Sequence, residues 1–323
     1  MSPRSALRAP HPTETANEFA ADVATGLTAK PKYLPPKYFY DLTGSGLFDR
    51  ITELPEYYPT RSEIGLLEKH APEIASLFPQ GSALVEFGGG SSRKARILLR
   101  AAASVEAYVP VDISGDFLRE DAARLRRDFP HLSIIPVVAD FTTLTELPAE
   151  IAALPRAGFF PGSTIGNFEP HEACKFLRRA GAILGSGSVL MVGVDLEKAP
   201  DILYRAYNDA QGVTAKFNLN LLVRINRELG ANFNLRLFRH RARWNDEASR
   251  IEMHLESLIG QHVVVPALDI EVKLARGETI HTENSYKFTD ERVVEMLDRA
   301  GYGMLRRWSD AQGWFGVYLA QVR

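Results

Sequence analysis

Acidic and aromatic side chains follow three apolar segments of this sequence, and a glycine triplet follows the first of them. Gly88-Gly89-Gly90 comes directly after the apolar run Ala83–Phe87, Asp112 ends the second run, and Asp140 with Phe141 ends the third. A glycine turn lets the backbone approach a ligand, and a carboxylate accepts hydrogen bonds from the vicinal hydroxyls of a ribose. An acid can also accept from an adenine amino group while an aromatic ring packs against the base.

Each of these signals has an ordinary structural explanation when it is considered alone. The triplet lacks the G-x-G-x-x-G spacing of dinucleotide-binding proteins and can be a plain tight turn. Asp112 can be one of the many acidic residues found at strand ends, and Asp140 can cap a helix beside a core Phe141. The three signals nevertheless occur in chain order, each at an expected carboxyl end of a strand. Together they predict a binding site for S-adenosylmethionine.

Apolar runs of strand length alternate with helical patterns over much of the chain. The expected strands are 83–87, 107–113, 134–139, 158–161 and 189–194, with helices that include 93–103, 116–129 and 171–184. Such alternation indicates an α/β fold whose parallel sheet is covered on both faces. Two more strands, 304–308 and 314–322, are joined by a hairpin-like connection. A parallel sheet that ends in an antiparallel hairpin resembles the Rossmann-like sheet of class I methyltransferases.

Composition excludes several classes of function. The 38 Lys and Arg residues are balanced by 40 Asp and Glu residues, so no basic excess is available for nucleic acid. No apolar run approaches the roughly 20 residues that span a bilayer. The eight histidines lie in no H-E-x-x-H motif, and Cys174 is the only cysteine. We expect a cytoplasmic protein with no metal, no membrane partner and no disulfide.

Four stretches carry a more specific resemblance. They are Leu54-Pro55-Glu56-Tyr57-Tyr58-Pro59-Thr60-Arg61, Gly162-Ser163-Thr164-Ile165-Gly166-Asn167, Arg205-Ala206-Tyr207-Asn208-Asp209-Ala210 with Gly212-Val213-Thr214, and Arg250-Ile251-Glu252-Met253. Together they resemble the histidine-specific Nα-methyltransferases of ergothioneine biosynthesis, over about residues 26–315. The sequence departs from that family at the glycine triplet, where G-S-G-T-S is usual, and at Asn284, where an apolar residue is commoner.

The resemblance implies two domains, in agreement with a change of pattern near Leu196. An S-adenosylmethionine-binding methyltransferase domain would comprise residues 61–195 and 287–323. A mixed α+β substrate-binding domain would comprise residues 17–60 and 196–286, with strand-like alternation at about 235–244, 250–259 and 279–287. Residues 1–16 are expected to form a mobile tail before a helix that begins near Asn17.

The resemblance also implies roles for individual residues. The carboxylate and amine end of an amino acid would be held by Tyr57, Asn167 and Tyr207, of which Tyr57 and Asn167 are the catalytic candidates. The imidazole of histidine would be engaged by Glu283 and Ser285, with Met253 beside the ring. The expected cofactor-binding residues are Tyr40, Gly88, Lys94, Asp112, Asp140 and Phe141. From the residues alone, the tyrosines and Met253 can be core residues, Asn167 a turn residue and Glu283 part of a solvated face.

The function that these expectations imply is S-adenosylmethionine-dependent trimethylation of the α-amino group of L-histidine to hercynine, the first step of ergothioneine biosynthesis. The resemblance also implies a monomer. Two alternatives stay open. The acceptor can be another amino acid such as tryptophan, because few residues decide between rings. The chain can also be a non-catalytic S-adenosylmethionine-binding regulator, because a fold does not fix a function.

Overall fold

The computed structural model describes the backbone of residues 12–323 and the side chains from Asn17 onward. This part of the chain divides into two compact units. Unit 1 contains Pro59–Glu197 and Lys287–Arg323, and unit 2 contains the described residues up to Tyr58 together with Lys198–Tyr286. Of the tail expected at 1–16, residues 1–11 lie outside the described residues. The first helix begins at Pro12 and not near Asn17, since proline suits a first turn whose N–H groups lack helical partners.

The helices along the described chain are α1 (Pro12–Thr28), α2 (Leu42–Thr52), α3 (Tyr58–Ser76), α4 (Arg93–Ala101), α5 (Gly115–Asp128), α6 (Pro170–Leu184), α7 (Pro200–Tyr207), α8 (Val213–Leu229) and α9 (Asp290–Arg299). The strands are β1 (Lys32–Tyr33), β2 (Ala83–Phe87), β3 (Ala107–Asp112), β4 (Ser133–Ile134), β5 (Val137–Val138), β6 (Arg156–Phe160), β7 (Val189–Asp195), β8 (Phe238–Asn245), β9 (Arg250–Ser257), β10 (Gln261–Val265), β11 (Ile270–Leu274), β12 (Thr279–Tyr286), β13 (Tyr302–Ser309) and β14 (Phe315–Val322). None of the helices within residues 12–323 combines the length and apolar character that crossing a membrane requires.

Unit 1 is built on one eight-stranded sheet with the order β13-β14-β7-β6-β2-β3-β4, in which β5 also pairs with β3. The pairs from β7 through β4 are parallel, whereas β14 is antiparallel to β7 and to β13. The expectation of a parallel sheet that closes with an antiparallel hairpin is therefore confirmed, and the sheet has the class I methyltransferase arrangement. The carboxyl ends of its parallel strands are where ligands bind in such folds.

Apolar side chains cover both faces of this sheet. Along β2, Val85 and Phe87 belong to a core that includes Leu177 of α6 and Leu297 of α9. Leu84 points into a second core that includes residues of α3, α4 and α5. All five residues of β2 are buried, so the near-continuous apolar run in the sequence follows from burial on two sides.

The prediction of one continuous strand at 134–139 is wrong. The chain forms two short strands there, β4 and β5, each paired with β3. Pro136 lies between them and has no N–H to donate to the sheet, which explains the interruption. The carboxyl end of β5 still leads directly to Asp140 and Phe141.

Unit 2 contains a four-stranded mixed sheet and a separate hairpin. The order is β1-β12-β9-β8, with β1 parallel to β12 and the other pairs antiparallel, while β10 pairs only with β11. The expected strand at 235–244 starts three residues later, because Leu235–Leu237 form a 3-10 turn. Helix α8 buries Phe217, Leu221 and Ile225 at spacings of four residues, so one stripe of the helix faces inward. The expected mixed α+β character of this part of the chain is confirmed.

Candidate functional site

The glycine triplet forms a turn that only glycine fits. Gly88 has a φ of 80°, and the amides of Gly88 and Gly89 both donate to the carbonyl of Val111, at 2.9 and 3.0 Å. A Cβ added to Gly89 would lie 2.7 Å from the Cβ of Pro110, closer than carbon atoms tolerate. The turn after β2 is therefore pressed against β3 and presents bare backbone at the carboxyl edge of the sheet.

Asp112 and Phe141 lie at the same turn. A Cβ on Gly90 would be 3.4 Å from Oδ2 of Asp112, and one on Gly88 would be 3.7 Å from Cε1 of Phe141. Burial raises the pKa of Asp112, while a 2.8 Å hydrogen bond from the amide of Ser114 acts in the opposite direction. A half-buried carboxylate beside glycine backbone that carries no side chains suits a ligand with two neighbouring hydroxyls. This cradle, together with the donor set, fits the ribose end of S-adenosylmethionine.

Asp140 and Phe141 also have structural roles. Oδ1 of Asp140 accepts from the amide and the hydroxyl of Thr142, at 2.8 and 2.6 Å. Phe141 packs edge-on against Phe160 and Phe176, with ring centroids 5.6 and 5.5 Å apart. The core contact expected of Phe141 is thus present, whereas Asp140 caps a turn at residues 141–143 and not a helix. Contacts of either side chain with an adenine stay a proposal.

Lys94 is held by a carboxylate that the sequence analysis missed. Its Nζ lies 2.5 Å from Oε2 of Glu63, whose side chain is 0% exposed. The same carboxylate accepts from the amide of Gly162, at 2.9 Å to Oε2 and 3.1 Å to Oε1. Glu63 shares the inward face of α3 with Leu66 and Leu67. An acidic residue within an apolar helical stripe was the signal that could have identified it.

Asn167 lies in the segment that follows β6. It ends a short 3-10 helix, Thr164–Asn167, preceded by Ser163 in the left-handed conformation with a φ of 57°. The hydroxyl of Ser163 accepts from the amide of Asp195, at 2.9 Å, which ties this segment to the end of β7. Asn167 is half-buried, and its side-chain amide makes no hydrogen bond with any residue of the described chain. Its donor and acceptor are available to a ligand.

Three substrate candidates meet in unit 2. The hydroxyls of Tyr207 and Ser285 are 2.6 Å apart and buried. The rings of Tyr57 and Tyr207 are edge-to-face with centroids 6.3 Å apart. Tyr40, expected to bind the cofactor, belongs to unit 2 as well, where its ring packs against Phe48 at 5.6 Å. The other cofactor candidates are all in unit 1.

Glu283 and Met253 complete this group. They are paired directly across β12 and β9, and Ser285 is paired with Ile251 on the same two strands. Glu283 is 8% exposed, Ser285 3% and Met253 1%, so Glu283 does not lie on a solvated face. A carboxylate, a hydroxyl and a thioether therefore share one buried face of the sheet. This combination can accept from a ring N–H and pack against the ring.

The residues 12–323 contain no group of three or more His, Cys, Asp and Glu side chains placed to hold a metal ion. The polar groups of the candidate site described above are mostly carboxylates, hydroxyls and amides. Such groups are suited to binding an organic ligand through hydrogen bonds.

The sheet order, the glycine turn and Asp112 define a class I methyltransferase. A family model described as histidine-specific methyltransferase, SAM-dependent, matches residues 19–322. The chain is 44% identical to the histidine N-alpha-methyltransferases of Mycolicibacterium smegmatis and Mycobacterium tuberculosis, over 93% of this chain and of each relative. It is 31% identical to ergothioneine biosynthesis protein 1 of Neurospora crassa, over 86% of this chain and 32% of that protein. The chain belongs to the S-adenosylmethionine-dependent, histidine-specific methyltransferase family.

Proposed function

We propose that this protein transfers methyl groups from S-adenosylmethionine to the α-amino group of L-histidine until the trimethylated betaine hercynine is formed, as the first step of ergothioneine biosynthesis. The observation that carries the proposal is the buried pair of Glu283 and Ser285 on one face, with Tyr207 hydrogen-bonded to Ser285. The named activity of the two mycobacterial relatives, at 44% identity, supports it.

When bound, S-adenosylmethionine would supply a methyl group on a sulfonium sulfur: the C–N bond to a neutral amine forms as the C–S bond breaks and the thioether leaves, without a metal or a covalent enzyme intermediate. In the proposal, the backbone of Gly88 approaches the cofactor and Asp112 accepts from its ribose hydroxyls. Asp140 and Phe141 contact the adenine, and Lys94, held by Glu63, provides a cation for a carboxylate. The cofactor contact expected of Tyr40 from the family resemblance stays a prediction.

The proposed substrate contacts follow from donor and acceptor chemistry. Tyr57, Asn167 and Tyr207 can donate hydrogen bonds to the carboxylate of an amino acid. Glu283 can accept from a ring N–H, and the hydroxyl of Ser285 can serve the other ring nitrogen. A buried carboxylate gains most from a partner that carries a proton, and an imidazole offers one. This favours histidine over an amino acid with a purely apolar ring.

The amine must lose a proton before it can react. A side-chain amide such as that of Asn167 can hold a neutral amine without the charge that would favour an ammonium ion. In the proposal Tyr57 or solvent receives the proton. Orientation of the amine by Tyr57 and Asn167 is then the main contribution of these residues to the rate.

The test is mass spectrometry of the products after the purified protein is incubated with S-adenosylmethionine and each common amino acid in turn. We expect histidine alone to gain three methyl groups. Methylation of another amino acid, such as tryptophan, would contradict the assignment of Glu283 and Ser285. Cofactor binding without any product would instead identify a regulator.

We also propose that the protein acts as a cytoplasmic monomer and needs neither nucleic acid nor a membrane. The near balance of 38 basic and 40 acidic residues supports the absence of a nucleic-acid partner. Light scattering coupled to gel filtration tests the monomer, and a dimer mass at micromolar concentration would contradict it.

A further inference from the structure

A one-residue bulge interrupts β12 immediately before Glu283. From Thr279 to His281 the strand pairs with β9 in one register, with His281 opposite His254. From Glu283 onward the register is shifted by one residue, so that Glu283 is opposite Met253. Thr282 is the extra residue, and it is 1% exposed.

The bulge decides which face Glu283 occupies. On β9, Met253 and Leu255 point to one face and His254 to the other, because side chains alternate along a strand. Ile280 is opposite Leu255 and Glu283 is opposite Met253, so both are on the Met253 face although three positions separate them. A regular strand would place residues three apart on opposite faces. If the strand instead continued in its first register, Thr282 would be opposite Met253, and Glu283 and Ser285 would share a face with His281 and His254.

Two side chains hold the bulge through backbone carbonyls. The hydroxyl of Thr282 donates to the carbonyl of Met253 at 3.0 Å in a buried setting. Nε2 of His281 lies 3.0 Å from the carbonyl of Glu283 and must donate, because a carbonyl can only accept. A bulge leaves ladder groups without their usual partners. Here the two residues before Glu283 bond with the carbonyls of Met253 and Glu283, which form the first pair after the shift.

We propose that Thr282 is a positioning residue for substrate selection: its hydroxyl fixes the bulge that turns Glu283 and Ser285 toward the face of Met253. The inference rests on the proposed function, since it assumes that Glu283 and Ser285 contact the ring of the bound amino acid. Thr282 itself contacts the backbone of Met253. It affects the substrate indirectly, by setting the face toward which the side chain of Glu283 points. His281 supports the same geometry from the other end of the bulge.

The experiment measures the dissociation constant of L-histidine by calorimetry, together with kcat and KM, for the full chain. Thr282→Val keeps the shape of the side chain and removes the hydroxyl, whereas Thr282→Ser keeps the hydroxyl. Loss of a buried hydrogen bond should weaken histidine binding by on the order of ten-fold in Thr282→Val. Thr282→Ser should stay within about three-fold of the parent, and S-adenosylmethionine affinity should be unchanged in both.

Thr279→Val is the matched control, because Thr279 is on the same strand before the register shift. It should leave histidine affinity unchanged. His281→Leu removes the second donor to the bulge and should also weaken histidine binding, so the inference stays testable if Thr282→Val does not fold. In a background that carries both Glu283→Ala and Ser285→Ala, Thr282→Val should have little further effect, because both side chains that it positions are gone.

The outcomes separate this inference from the proposed function. If the parent protein binds histidine but Thr282→Val and His281→Leu bind it equally well, the positioning role is wrong and the proposed function stands. Equal losses in Thr282→Val and Thr282→Ser, or a loss that persists in the background with both Glu283→Ala and Ser285→Ala, would also overturn it. If the parent protein does not bind histidine at all, the proposed function itself fails.

Discussion

Glu283 is an acidic residue on a buried face that it shares with Met253 and Ser285. Met253 is directly opposite and Ser285 is two residues away. A carboxylate at 8% exposure gains from a ligand that donates a hydrogen bond. At the scale of the single residue, this is the feature that distinguishes a ring with an N–H from one without.

Replacing Glu283 tests that role in catalysis. We expect Glu283→Ala to raise the KM for histidine by about 10- to 100-fold, the range for a hydrogen bond to a charged group, while kcat changes less. Glu283→Gln should have a smaller effect because it keeps one acceptor oxygen. Steady-state kinetics with saturating S-adenosylmethionine measure both constants. Glu271→Gln on β11, an exposed position, is the control, and an unchanged KM in Glu283→Ala would contradict the ring assignment.

His254 makes the stability of the protein sensitive to acid. Burial lowers its pKa to about 4. Its Nε2 is 3.1 Å from Glu252, and its buried Nδ1 has no hydrogen-bond partner within the described residues. A proton on Nδ1 would be buried without an acceptor. For Glu252, burial alone would raise the pKa, but bonds from Asn245, His254 and Arg250 outweigh it and hold the pKa at about 2.

The sign of the resulting pH dependence follows from which state binds the proton. The folded pKa of His254 is below its ordinary value of 6.5, so the unfolded chain takes up the proton first as the pH falls. The contribution of the neutral His254 to the free energy of unfolding is complete above pH 6.5. This contribution, about 3 kcal/mol, is lost as the pH falls from about 6.5 to 4. Urea unfolding at several pH values should show a smaller loss over this range in His254→Phe. His171→Gln, an exposed position, should keep the parental loss; an equal loss in His254→Phe would contradict the assignment.

At the scale of the element, the turn after β2 is packed closely against β3. We expect Gly89→Ala to lower S-adenosylmethionine affinity and to reduce the free energy of unfolding by about 1–3 kcal/mol, because the new methyl group would displace Pro110. Calorimetry and urea unfolding measure the two effects. Gly65→Ala, at an exposed position of α3 with open space around it, should instead stabilise the protein by about 0.5–1 kcal/mol. Unchanged cofactor affinity in Gly89→Ala would show that the turn does not form the site.

Elements whose signal is local are predicted well by the sequence. The strand expected at 83–87 coincides with β2, because a continuous apolar run ends there at residues that only a turn accommodates. The segment 134–139 was expected as one strand because the prediction used hydrophobicity alone. Hydrophobicity does not show that Pro136 has no N–H to donate to the sheet. Buried Glu63 was missed because acidic residues on helices usually face solvent, and its partners Lys94 and Gly162 are distant in sequence.

The bulge at Thr282 shows a different kind of limit. Alternation in the sequence correctly indicated that Glu283 and Ser285 share a face, but it is equally compatible with either face of the sheet. The choice depends on the pairing with β9, a non-local property that one extra residue changes. The ligand contacts expected of the site residues stay predictions, since their geometry fits a ligand without identifying it.

At the scale of the whole molecule, each unit is assembled from separate stretches of chain. The chain passes between units after Tyr58, after Glu197 and after Tyr286. The last stretch supplies β14, which pairs with β7 from Asp195 to Val189, and Lys287, whose Nζ is 2.8 Å from the buried carboxylate of Asp195. The final residues of the chain therefore complete the sheet that its middle part begins.

In a fragment that ends at Tyr286, unit 1 should consequently fail to fold, although unit 2 keeps its whole sequence. The fragment would lack β14 and leave β7, buried at all seven positions, as an unpaired apolar edge, and it would leave Asp195 buried without its cation. We expect aggregation and no binding of S-adenosylmethionine by calorimetry, in contrast to the full chain. A monomeric fragment that binds S-adenosylmethionine would show that unit 1 does not depend on its last segment.

The bulge also means that one sequence is compatible with two different pockets. If residue 282 were deleted, Glu283 would follow His281 and take the position opposite Met253, so Glu283 to Tyr286 would keep their present faces. If residue 282 were kept but paired regularly, Asn284 and Tyr286 would replace Glu283 and Ser285 on the Met253 face. The hydrogen bond from Thr282 to the carbonyl of Met253 therefore selects one of two amino-acid pockets that the same residues could form.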